Sequence, residues 1–306
     1  MWGKILSKLT VMSKKIVFKG AATALITPFS DGQIDYEALA RLIEFQISSG
    51  IDALVIGGTT AEAATLSDDE RYKLYTFAKG IVAGRTKLIL GTGTNDTRVA
   101  LAHSKFAENL GCDGVLLVTP YYNKGTEAGI EKHYLKIAES ANLPIIVYNV
   151  PSRTGVNLGI NLLRRLAEHP NIVGIKEASD SVDRLVTLSS FGDELHLYSG
   201  NDSQIYPTLS LGGKGVISVM SNIIPKATVK LCGDYFAGKQ SEALELQLRL
   251  LPFISSLFLE TNPAPIKFAM SLKEFCSPEV RLPLSEPRES TKSELILRLH
   301  EISDLN

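Results

Sequence analysis

Eight short, continuously apolar runs constrain this chain more than any other feature: "AATALITPF", "DALVIGG", "KLILGTG", "GVLLVTP", "PIIVYNV", "NIVGIKE", "LHLYSGN" and "KGVISVM". They are apolar throughout rather than alternating, which is the pattern of strands covered on both faces. Longer amphipathic segments separate them. Asp35–Ser49 places Leu39, Leu42, Ile43 and Ile47 at helical spacing, and Ser67–Val82 opens with Ser67 and Glu70, the spacing of a capping box. Asp96–Leu110, Thr126–Ala141, Gly159–Glu168, Ser181–Ser190 and Ser203–Leu211 continue the series. Strands alternating with helices at a repeat of roughly 20–35 residues predict an α/β fold closed as a (β/α)8 TIM barrel. An open doubly wound sheet is the competitor, but it tends to carry a glycine fingerprint after its first strand. Here the first run leads into "TPFSDG". Beyond the eighth run Pro225–Ala237, Glu242–Phe258, Ile266–Phe275 and Ser293–Ile302 read as helices. One completes the barrel and the rest form a C-terminal helical appendage. The expected division is therefore an N-terminal extension at 1–17, a barrel core at 18–224, and the last barrel helix with the helical region at 225–306.

Composition narrows the function classes. The 306 residues are 44% hydrophobic, ample for a core of this size, and the 32 basic and 33 acidic residues nearly cancel. That balance favours no nucleic-acid partner. No apolar run reaches the length of a membrane span, so no membrane partner is expected. Cys112, Cys232 and Cys276 are far apart and lack CxxC or Cys/His spacing. They read as reduced thiols of a cytoplasmic protein. The opening "MWGKILSKLTVMSKK" contains no acid and spaces Trp2, Ile5, Leu6 and Leu9 helically. It reads as a disordered extension or an upstream start, with a short basic amphipathic helix as the alternative.

In a barrel of this type chemistry gathers where the strands end at the C-terminal mouth. The ends present Thr27, Gly57-Gly58-Thr59-Thr60, Gly91-Thr92-Gly93, Thr119-Pro120-Tyr121-Tyr122, Tyr148-Asn149, Lys176-Glu177, Gly200-Asn201-Asp202 and Ile217-Ser218. Hydroxyls and glycines dominate. One lysine is present, with no histidine and no cluster of acids, which argues against a divalent-metal site and against histidine acid/base chemistry. Neighbouring strand residues alternate in direction, so Ile175 and Glu177 should face away from Lys176. If Ile175 packs against the outer helices, Lys176 enters the mouth. A desolvated amine there loses its proton more easily and can attack a carbonyl to form a Schiff base. Position alone leaves this reading level with a solvated lysine at a strand end. Tyr148 ends the preceding strand, where its hydroxyl can relay protons if linked to Thr59 or Thr60. The Gly57-Gly58 pair permits close backbone approach to a small carboxylate, and Arg153 in "PSRTG" is suited to hold a second one. A lysine, a hydroxyl relay, a carboxylate nest and an arginine at one rim describe an enamine aldolase.

"GGTTAEAATL", "VTPYYNK", "YNVPSRTG", "GIKEASD", "YSGND", "GGKGVISV", "ETNPAPIK" and "RLPLSE", in that order from about Phe18 to about Glu286, resemble the dihydrodipicolinate synthase family of pyruvate-dependent aldolases. The resemblance implies a barrel enzyme, usually a homotetramer, that condenses pyruvate with aspartate 4-semialdehyde in the diaminopimelate route to lysine. It implies that Lys176 forms the Schiff base and that Thr59, Tyr148 and Tyr122 relay protons, with Tyr122 reaching into a neighbouring subunit's site. Thr60 would hold the pyruvate carboxylate, Arg153 the semialdehyde carboxylate, and the Ile217 carbonyl and Gly200 would lie beside the substrate. Since the lysine is the covalent catalyst, no metal or organic cofactor is implied.

Two departures from the family pattern matter. Ala61 stands where glycine is common, and a Cβ there disfavours a positive φ. Lysine-inhibited members resemble one another in a serine, a histidine and a glutamate whose counterparts here are Ala63, Arg71 and Val99; Asn95 and Tyr121 are retained. A cationic ligand would meet Arg71 without a carboxylate partner, so weak or absent inhibition by lysine is expected. Two alternatives stay open: a related enamine aldolase acting on N-acetylneuraminate or a 2-keto-3-deoxy sugar acid, and a non-catalytic barrel kept for binding or assembly.

Overall fold

The computed structural model describes residues 14–305. The amphipathic reading of the N-terminus lies almost wholly outside them. Eight parallel strands close into a barrel: β1 Gly20–Ala24, β2 Ala53–Ile56, β3 Lys87–Gly91, β4 Gly114–Val118, β5 Ile145–Asn149, β6 Ile172–Glu177, β7 His196–Ser199 and β8 Gly215–Ser218. Closure is explicit in the register, because Ala22 of β1 pairs with Ala53 of β2 on one side and Ile217 of β8 on the other. The continuous apolar runs are thereby explained. Leu54, Leu90, Leu117 and Ile175 pack outward against the helices, while Val55, Ile89, Leu116 and Ile146 fill the interior. The tail of the first run departs from the strand reading. Phe29–Ser30 leaves the barrel and pairs antiparallel with Gln33–Ile34 around Asp31 and Gly32, both at positive φ.

Around the barrel lie α1 Tyr36–Ser48, α2 Asp68–Val82, α3 Thr97–Leu110, α4 Glu127–Ser140, α5 Ile160–Ala167, α6 Val182–Ser189, α7 Ile205–Ser210 and α8 Pro225–Phe236. Their starts follow from local chemistry: Asp35, Asp96, Thr126 and Ser181 accept hydrogen bonds from first-turn amides, and Ser67 with Glu70 forms the full capping box. The appendage consists of α9 Gln240–Ser256, α10 Ala264–Ser271 and α11 Glu289–Glu301. No described helix is long and apolar enough to cross a membrane. The barrel floor is shut by Phe18, which stacks on Tyr198 and accepts its hydroxyl proton through the backbone carbonyl at 2.9 Å.

Candidate active site

The direction of Lys176 depends on an irregularity in β6. Ile172 packs outward among the helices, so strict alternation would send Lys176 outward too. Ile145 pairs with Ile172, but Ile146 pairs with Gly174, leaving one extra residue on β6. This bulge resets the alternation. Val173 turns inward, Ile175 packs outward, and Lys176 enters the mouth. Gly174 permits the bulge: a Cβ there would lie 2.9 Å from the His196 carbonyl oxygen and 3.1 Å from the Tyr198 ring. Glu177 points away from the mouth and is fully buried. It accepts hydrogen bonds from Arg184 Nε at 2.8 Å, the Asn149 amide at 2.9 Å and the Ser179 backbone N–H at 2.9 Å. The lysine therefore has no neighbouring acid in its own strand to neutralise it.

Lys176 is 5% exposed. Its Nζ sits 4.2 Å from the centroid of the Tyr148 ring, and the two residues are paired across β5 and β6. Burial brings the amine down to about 7; the Arg153 charge acts in the same direction, and the Asp202 carboxylate opposes both. Tyr148 shows the complementary effect. Burial raises its hydroxyl, so it keeps its proton, while the Arg153 charge and the nearby Thr59 hydroxyl act against that rise.

Thr59 and Thr60 are held by a loop of demanding geometry. Gly57 has φ +71°, and a Cβ there would fall 2.6 Å from the Tyr75 ring. Thr59–Ala61 then forms a 3-10 turn. The left-handed residue that follows is Glu62, at φ 55°, so Ala61 occupies a conformation alanine accepts readily. Glu62 ties the loop to the appendage. Its buried carboxylate meets Lys267 Nζ at 2.7 Å and accepts the Arg281 backbone N–H at 2.8 Å. Asn262, between α9 and α10, donates to Thr60 Oγ1 at 3.0 Å, and its carbonyl accepts from Arg153 Nη2 at 2.9 Å.

These groups surround a cavity of about 410 Å³ bordered by Thr59, Thr60, Tyr148, Arg153, Lys176 and Gly200. Gly200 is required by close packing, since a Cβ would lie 2.6 Å from Ala178 Cβ and 2.8 Å from the Glu177 carbonyl oxygen. Ile217 lies in the buried interior layer and is not part of the cavity wall. Tyr122 is 89% exposed at φ 72° and does not line the cavity that holds Lys176. The histidines lie away from the cluster: His103 meets Asp68, His133 meets Thr97, and His196 starts β7 beside the Lys14 carbonyl. Among the described residues no group of three or more His, Cys, Asp or Glu side chains is placed to hold a metal ion.

Comparison with known proteins decides the lineage. The model of the dihydrodipicolinate synthetase family matches residues 17–302. The chain belongs to the dihydrodipicolinate synthetase family. It is 46% identical over 275 residues to the 4-hydroxy-tetrahydrodipicolinate synthase of Clostridium novyi, covering 90% of this chain and 93% of that protein. It is 47% identical over 280 residues to the same-named protein of Thermotoga neapolitana, covering 90% and 95%. The crystal structure of the Thermotoga maritima dihydrodipicolinate synthase superposes with a TM-score of 0.92 at 43% identity, covering 95% of this chain and all of that one.

Two groups in this family member escaped the sequence reading. Asp202 was visible only as a strand-end residue. In the structure it is 2% exposed, faces Lys176, and accepts the Val219 and Met220 backbone N–H groups at 3.0 and 2.8 Å. Burial raises its carboxyl, against the pull of those donors, of Ser218 and of the lysine. Asn262 lies within "ETNPAPIK", where nothing local points to a role for it. Its one available signal was that motif, because the bond to Thr60 spans 202 positions.

Proposed function

We propose that this chain is a 4-hydroxy-tetrahydrodipicolinate synthase of the diaminopimelate route to lysine, acting through a Schiff base on Lys176. The observation that carries the reading is an amine only 5% exposed, 4.2 Å from the centroid of the Tyr148 ring, in a cavity that Thr59 also lines. A neutral amine attacks the pyruvate ketone, and loss of water gives the imine. Tyr148 and Thr59 carry the protons of that step, because the tyrosine remains protonated at the pH where the lysine is free. Loss of a methyl proton gives the enamine, whose carbon attacks the aldehyde of aspartate 4-semialdehyde. The substrate's own amine then attacks the imine carbon and expels Lys176, which regenerates the enzyme.

Thr60 and the adjoining amides suit the pyruvate carboxylate, and Arg153 suits the semialdehyde carboxylate at the rim. Gly200 admits the substrate close to the backbone, and the Ile217 carbonyl is assigned to the lysine side of the site. The lysine is the electron sink, so the reaction calls for no metal or organic cofactor. A homotetramer that places Tyr122 in a neighbouring subunit's relay accounts for a tyrosine left 89% exposed on the isolated chain. One solved relative, 43% identical, is described as the first monomeric variant of this enzyme, so assembly is measured separately. A cytoplasmic location fits three free cysteines.

Borohydride reduction in the presence of pyruvate tests the reading. A stable adduct of one reduced pyruvate on Lys176 is expected, along with a kcat/KM for pyruvate that rises with pH through about 7. Absence of the adduct in folded protein would overturn the assignment. Turnover with aspartate 4-semialdehyde, compared with sugar-derived aldehydes, fixes the acceptor.

A further inference from the structure

We propose that Lys267 and Glu62, neither of which lines the cavity that holds Lys176, are positioning residues for the turn that carries Thr59 and Thr60. Both side chains are fully buried, and Lys267 Nζ stands 2.7 Å from Glu62 Oε1. The other carboxylate oxygen accepts the Arg281 backbone N–H at 2.8 Å. These partners lie 205 and 219 positions away in the chain, so the turn is held from the appendage and not by its own neighbours. Glu62 follows Thr60 by two residues. Its φ of 55° lies in the left-handed region that side chains seldom adopt. Its N–H closes the 3-10 turn onto the Thr59 carbonyl at 3.0 Å. The bearing of Glu62 therefore sets the direction of both threonines.

Stability alone does not account for the pair. Apolar side chains of similar volume in place of a buried ion pair often leave stability unchanged or raise it, because both charges have lost their hydration. What apolar contacts lack is direction. A charge-assisted hydrogen bond holds one oxygen at one point. The other fastenings of the turn join neutral groups: Thr27 Oγ1 donates to the Ala61 carbonyl at 2.9 Å, and Asn262 donates to Thr60 Oγ1 at 3.0 Å. Lys267 is also shielded from water on its far side, where Nζ lies 4.3 Å from the centroid of the Phe29 ring. Asn262 and Lys267 belong to one short stretch, the start of α10 and the residues just before it, so the appendage grips the turn at two points. The inference rests on the reading of Thr59 as proton relay and Thr60 as holder of the pyruvate carboxylate. Loosening the turn then raises KM for pyruvate through Thr60 and lowers kcat through Thr59.

The double variant Lys267→Met with Glu62→Gln carries no charge at the pair and tests the device in protein shown by circular dichroism to be folded. Its kcat/KM for pyruvate is expected to fall at least roughly tenfold, within the range of a misplacement of about 1 Å. KM for aspartate 4-semialdehyde, assigned to Arg153, should stay within about twofold, because that group lies on another loop. General loosening of the site would move both. A crystal structure of the double variant should show Glu62 displaced from its left-handed φ and Thr60 parted from Asn262. Glu62→Gln alone keeps the shape of the side chain and an acceptor for the Arg281 N–H. The same pattern is expected of it, so a double variant that fails to fold leaves a second test. Unchanged kinetics for pyruvate in folded protein, equal rises in the two KM values, or an unmoved turn in the crystal would each overturn the proposal. Borohydride trapping in the native chain keeps the two readings apart: absence of an adduct there removes the Schiff-base assignment, and the crystal structure still decides whether the pair holds the turn.

Discussion

Lys176→Met makes the energetic position of the lysine measurable. Methionine keeps an unbranched side chain and removes the charge. Burial, helped by Arg153, takes the amine from its ordinary 10.5 to about 7 despite the opposing carboxylate of Asp202. That drop corresponds to about 5 kcal/mol of resistance to the proton in the folded chain. The pH dependence follows from proton linkage. Below pH 7 folded and unfolded chains both hold the proton, and the native state bears the whole cost. Between pH 7 and 10.5 only the unfolded chain is protonated, so native stability rises with pH across that window. Above 10.5 both forms are neutral and the cost has gone. The variant should therefore be more stable than the native sequence at pH 6, by up to about 5 kcal/mol, and the gap should narrow by about 3 kcal/mol by pH 9. At about 2.1 cal/mol/K per residue over 306 residues, each kcal/mol moves the midpoint by about 1.5 °C, so the two melting curves should approach one another by roughly 5 °C. Melting followed by far-ultraviolet circular dichroism at both pH values reads this directly, and urea midpoints check it. A difference in stability that is constant from pH 6 to 9, or a variant less stable at pH 6, would refute burial as the cause of the lowered amine.

Four further outcomes are expected. Asp202→Asn removes the carboxylate that favours the ammonium, so the acid limb of the pH profile of kcat/KM for pyruvate should move to lower pH; a shift upward would contradict the placement of Asp202. Gly174→Ala puts a Cβ 2.9 Å from the His196 carbonyl oxygen, so it should lower stability by about 1–3 kcal/mol in urea titrations and cut activity by disturbing the direction of Lys176. Lys267→Met leaves the Glu62 carboxylate buried without its ammonium and should cost about 3–5 kcal/mol; adding Glu62→Gln should recover most of that loss in a double-mutant cycle. Initial rates measured with added lysine should be unchanged at concentrations that inhibit sensitive relatives, because the side chain meeting an incoming ammonium is Arg71; strong inhibition at low lysine would overturn this.

The legible parts of the molecule were those set by local pattern. Strands covered on both faces need apolar residues at every position, so the eight runs could be read directly, and the helix starts were written in single side chains such as Ser67 with Glu70. The direction of Lys176 belongs to another class. Local alternation from Ile175 places the lysine inward, whereas alternation from Ile172 places it outward, and both isoleucines pack outward. Only pairing with β5 resolves the conflict, through one extra residue beside Gly174. The same holds for what tunes the amine. Asp202 is kept ionisable at the mouth by backbone donors from Val219 and Met220, and backbone donors have no sequence signature. Thr60, in the 3-10 turn after β2, and Arg153, in the one-turn helix Pro151–Thr154 after β5, are brought to one residue, Asn262. The residue types that carry the chemistry could thus be read from the chain, whereas their orientation and charge state depend on contacts between strands and loops far apart in it. The lysine resides inside the barrel through a glycine two positions before it, which makes Gly174 as necessary to the proposed Schiff base as the tyrosine beneath the amine.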